Sequence, residues 1–98
     1  MIESPPVAED HDPLPHDVAE YRGPGASAVP ALARAVRAYG LTDLDEITPV
    51  VIAETGLSDT TVWKAWLALL DLDRLALVGP GHPRPGRHRD AHVWVDEP

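Results

Sequence analysis

The sequence predicts a mainly α domain of three helices with a small β-hairpin, preceded by a disordered acidic N-terminal tail. Three observations predict it. Apolar residues recur at helical spacing in two stretches, Val29, Leu32, Ala33, Val36 and then Val62, Trp66, Leu69, Leu70. Two short runs that suit strands, LALV at 75–78 and AHVWV at 91–95, bracket a segment whose three prolines and three glycines exclude regular structure. Residues 1–25 set Pro5, Pro6, Pro13, Pro15 and Pro24 among acids, with neither helical nor alternating pattern.

The chain therefore divides into a tail over 1–25 and one domain over 26–98. The first helix is expected over 28–39, with Ser27 as cap, Pro30 in the first turn and Gly40 as stop. Arg34 and Arg37 lie opposite its apolar stripe and are expected to be solvated. Residues 41–47 (LTDLDEI) form a connector in which Leu44 and Ile47 fill the edge of the core, and the pattern leaves a short strand and an extra helical turn equally open. Thr48 is then the expected cap of a short buried helix, with Pro49 at its first position. Gly56 makes a tight turn, Ser58 caps the incoming helix over 59–72, and Val62 packs back onto the preceding helix. On the last strand Val93 and Val95 are assigned to the core, and His92, Trp94 and Asp96 to solvent.

The stretch 48–70 (TPVVIAETGLSDTTVWKAWLALL) resembles the winged helix-turn-helix family of transcription regulators, particularly the multiple-antibiotic-resistance repressor type. Thr55-Gly56-Leu57-Ser58, Thr61-Val62 and Leu69 match its pattern, with Trp66 at a usual leucine position. With the helix before and the hairpin after, the resemblance extends over residues 27–96. It implies a three-helix winged helix-turn-helix domain. Ile52 stands where the family has a small residue, and the exit after Asp73 is two or three residues longer than usual.

Composition restricts the function. At 98 residues there is room for one modest core. With no cysteine there is neither a disulfide nor a thiolate metal site. His88 and His92 are four apart in a segment that cannot be helical, so no metal or cofactor is expected. No nucleophile-and-base constellation can be assembled, and an enzyme is not expected. No apolar run reaches the roughly 20 residues of a membrane span, nor does the N-terminus read as a signal peptide, so a cytoplasmic location is expected.

The net charge of -8 is unevenly spread. Residues 1–22 carry six acids against Arg22, and residues 23–78 carry seven acids against Arg34, Arg37, Lys64 and Arg74. Only the stretch 79–92 is positive, with Arg84, Arg87 and Arg89 against Asp90. The resemblance places a wing there. Two readings follow. In the first, the chain is a small sequence-specific DNA-binding transcriptional regulator with duplex DNA as its partner. Asp59, Thr60, Thr61, Trp63 and Lys64 would then face the major groove, while Arg84, Arg87, His88 and Arg89 of the wing hold phosphates or the minor groove. In the second, the apolar pair Trp63 and Leu67 docks a protein partner or a second copy, and the acidic body repels DNA.

Overall fold

The computed structural model describes residues 13–80 and 90–96. Residues 1–12 of the expected tail, and the residues expected in a wing, Arg84, Arg87, His88 and Arg89, lie outside that set. The chain order is α1 (His16–Ala19), α2 (Val29–Tyr39), β1 (Leu41–Thr42), α3 (Leu44–Thr55), α4 (Asp59–Asp71), β2 (Leu75–Pro80) and β3 (Asp90–Trp94). The strands form one antiparallel sheet in the order β1-β3-β2. The result is a mainly helical domain of three main helices with a small sheet, a layout compatible with a winged helix. No helix among the described residues is long and apolar enough to cross a membrane.

One core joins the elements. Val29, Leu32 and Val36 from α2, Ile47 and Val51 from α3, and Val62, Ala65 and Leu69 from α4 are fully buried. Trp66 and Leu75 complete it, with Trp94 packed against its edge. The 3.6-residue periodicity of α2 and α4 thus becomes a shared apolar interior.

Residues 13–25 depart from the expected tail. They pack on the domain: Val18 of α1 is buried, and Leu14 and Tyr21 lie against the core. The three are four and three residues apart, a spacing that the surrounding prolines and acids obscure, although only Val18 lies within α1. Gly25, at φ +81°, then brings the chain hard against α4, where an added Cβ would sit 2.4 Å from the Ala65 amide nitrogen. Only glycine combines that φ with that approach. The turn ends at Ala28, and α2 begins without a side-chain cap, so Ser27 does not serve as one.

The start of α3 also differs from expectation. Its cap is Asp43, whose carboxylate accepts from the Glu46 amide at 2.7 Å, while the Thr42 hydroxyl donates to Glu46 Oε1 at 2.8 Å. This Asp-x-x-Glu spacing is a capping signature that begins five residues ahead of Thr48. Leu44, Ile47 and Val51 continue one buried face from there, so Pro49 falls inside the helix. Thr48 is helical and turns its hydroxyl back onto the Leu44 carbonyl at 2.6 Å. The connector resolves into both alternatives, a two-residue strand followed by helix.

On β3 the faces expected of His92 and Trp94 are not the ones found, while Asp96 just beyond it is exposed as expected. Leu41, Val93 and Ala76 stand opposite one another on one side of the sheet. Trp94 packs on the core, and the His92 ring meets the buried Trp66 edge-on at 5.3 Å. Alternation fixes a period of two but not its phase, and the large aromatic gains more from burial than the valines do. Arg37 is correspondingly engaged, 5.8 Å over the Trp94 ring.

The long exit from α4 forms a Schellman turn. Asp73 adopts φ 61°, its amide donates to Leu70 O at 3.0 Å, and the Arg74 amide donates to Leu69 O at 2.9 Å. That turn delivers the Arg74 side chain into the structure, where it is 9% exposed. Its Nε and Nη2 donate to Asp17 Oδ2 and Oδ1, each at 3.1 Å. Nη1 donates to the carbonyls of Val95, at 3.1 Å, and Asp96. Partial burial alone pushes the Asp17 carboxyl up, but the hydrogen bonds and charge of Arg74, with the Val18 amide, outweigh it and hold the carboxyl below its ordinary value.

Two predictions follow from this packing. Gly25→Ala drives a methyl into the α4 backbone and is expected to cost about 2 kcal/mol, read as a melting temperature lower by roughly 10 °C. For Asp17, a depressed folded pKa means that its contribution is fully present above the ordinary carboxylate value and is lost as pH falls through the folded one. In melting scans against pH, Asp17→Asn should lie below wild type by a constant gap above about pH 5, and the gap should close in acid below about pH 4.

Candidate interaction face on the helix-turn-helix

The turn between α3 and α4 forms as its sequence dictates. Gly56 takes φ +74°, and its amide donates to Ile52 O at 2.8 Å, closing α3. The Thr55 hydroxyl donates to Val51 O at 2.8 Å and accepts from the Leu57 amide at 3.1 Å. Ser58 Oγ accepts from the Thr61 amide at 3.2 Å and shares a 3.0 Å contact with its hydroxyl. The second helix is thereby fixed at its first turn.

Burial of Val62, Ala65, Trp66 and Leu69 settles which side of α4 is left outside. Asp59, Thr60, Trp63 and Lys64 are exposed. Thr61 is drawn into the cap and only partly accessible. Four of the five predicted α4 residues therefore share the outer surface.

The chemistry of that surface is uneven. Asp59, Trp63, Leu67 and Asp71 follow one another at four-residue spacing and are all exposed, so they form one slightly twisted stripe about 18 Å long. Its ends are acidic and its middle is apolar. Trp63 is 47% and Leu67 42% exposed, whereas Trp66, three residues from Trp63, is 5% exposed. Lys64 is the one cation of α4.

Two open depressions adjoin the stripe. One, of about 550 Å³, runs between α3 and α4 and is lined by Leu44, Asp45, Pro49, Ile52, Asp59 and Trp63, among others. The other, of about 200 Å³, joins Trp63 and Leu67 to Leu70, Asp90 and His92. The His92 ring is steadied by the Trp66 edge and by a 3.0 Å contact between its Nδ1 and the Asp90 carbonyl. Among the described residues there is no group of three or more histidine or carboxylate side chains that could hold a metal. Leu44 joins these walls because α3 starts at Leu44, ahead of the expected Thr48-Pro49 start. The four-residue spacing of Asp59, Trp63, Leu67 and Asp71 was open to inspection.

No family model matches the chain, and no curated protein and no solved structure matches it.

Proposed function

We propose that this chain is a small winged-helix module that docks a protein partner on the outer face of α4. The observation that carries the reading is the near-half exposure of both Trp63 and Leu67, an apolar pair one turn apart that the described residues leave open. Large aromatics at such positions are typical anchors of interfaces, and covering this pair would contribute on the order of a few kcal/mol. The two depressions beside them, which share Leu44 and Trp63 and are walled also by Pro49, Ile52 and Leu70, offer a partner shaped apolar surface next to the two anchors. Electrostatics supports the same reading. The described residues hold eleven acids against five cations, a net of -6, so the body of the domain repels a polyanion.

A second reading, the DNA-binding transcriptional regulator of the winged helix-turn-helix family, is favoured by a different observation. Thr60 and Lys64 are exposed in the first turns of α4, where a recognition helix meets base edges. Asp90, which follows the segment bearing Arg84, Arg87, His88 and Arg89, lines the same depression as Trp63 and Leu67.

Photo-crosslinking separates the two. A benzoylphenylalanine in place of Leu67 in the full chain, expressed in its source cells, is expected to yield a discrete protein adduct, and the same group in place of the exposed Arg34 of α2 is expected to yield none. An adduct at position 67 that nuclease removes would support the DNA reading and refute the docking one.

A further inference from the structure

The docking face carries a charge pattern that specifies its partner, and we infer that the occupant is a cationic amphipathic protein segment: two apolar side chains a helical turn apart, flanked by lysine or arginine. The inference rests on the docking reading above and adds the chemistry of the partner. The apolar middle of the stripe, Trp63 and Leu67, spans one turn of α4. Asp59 closes one end of it and Asp71 the other, both exposed. Asp45 lines the depression beside Trp63, and Asp90 lines the one beside Leu67. Acids thus stand at each end of the apolar pair and along both depressions, with Lys64 as the one opposing charge on α4.

This arrangement selects by sign. A segment carrying acids beside its apolar anchors would set like charges against Asp59 and Asp71 as it buried Trp63, and juxtaposed like charges oppose docking. A segment carrying cations would meet the same carboxylates favourably, and long lysine or arginine stems would extend the apolar contact over Pro49 and Ile52. A second copy of this chain, presenting the same face by a two-fold operation, would bring acid onto acid, so self-association through this face is disfavoured by the same argument.

The test uses the full chain, two synthetic amphipathic helices about three turns long, one of leucine and lysine and one of leucine and glutamate, and a duplex oligonucleotide, read by backbone amide shifts at low salt. The leucine-lysine helix is expected to move amides over 44–52 and 59–71, with affinity falling about fivefold in an Asp59→Asn/Asp71→Asn double variant whose fold those exposed positions leave intact. Equal binding of the leucine-glutamate helix to the same amides would overturn the charge preference and leave the docking reading standing. Shifts from the duplex alone, with neither peptide acting on this face, would overturn both. Peptide-induced shifts that ignore the double variant, or fall elsewhere on the domain, would overturn the inference.

Discussion

The guanidinium of Arg74 is the point at which the domain is tied together. It receives the carboxylate of α1 from one side and the carbonyls that follow β3 from the other, and its own backbone ends the Schellman turn after α4. A buried cation costs several kcal/mol in lost hydration unless its donors are matched. Here two directions of the fork meet Asp17 and a third meets peptide oxygens, so the group is satisfied only when three remote parts of the chain are in place. Replacing such a pair with apolar groups is often neutral for stability, so its stronger consequence is geometric. It holds residues 13–25 against the helices, and through Gly25 it sets that segment on the inner side of α4.

From that arrangement follows the division of α4 into two unlike faces. The inner one is consumed by Val62, Ala65, Trp66 and Leu69, with His92 against the Trp66 ring and the Gly25 turn against the backbone. Nothing within the described fold covers the outer one. The same helical repeat that buries Trp66 turns Trp63 outward, so two tryptophans three residues apart serve opposite purposes, one holding the helix and one offered by it. Acids around the exposed one, set on an already acidic body, give the face a sign as well as a shape.

Much of this was legible in the sequence where a local rule had no competitor. Gly56 with Ser58, Gly40 after Tyr39, and the spacing of Val62, Trp66 and Leu69 each allow one conformation, and the elements they define stand where expected. Trouble arose where two rules competed. Thr48-Pro49 and Asp43-x-x-Glu46 are both helix starts, and the second prevailed because it lets Leu44 and Ile47 share the buried face of Val51. On β3 either phase of the alternation buries apolar side chains, and the size of Trp94 decided it. The packed segment 13–25 was hidden by composition, since prolines and acids outweighed Leu14, Val18 and Tyr21. The pairing of Arg74 with a carboxylate 57 residues earlier had no sequence signal at all, because contact across such a separation is settled only by the tertiary fold. Of the candidate face, Trp63 and Leu67 were visible as an anomaly, an apolar pair on the side assigned to a ligand.

The central claim is that this pair is presented rather than packed, and urea unfolding of a Trp63→Gln/Leu67→Gln double variant tests it most directly. Glutamine preserves helix propensity while removing the apolar ridge, so the account predicts a stability within about 1 kcal/mol of wild type, against a loss of about 3–5 kcal/mol for Trp66→Ala on the inner face. A double variant that falls as far as Trp66→Ala would show that Trp63 and Leu67 hold the domain together, and the face would then be part of the core.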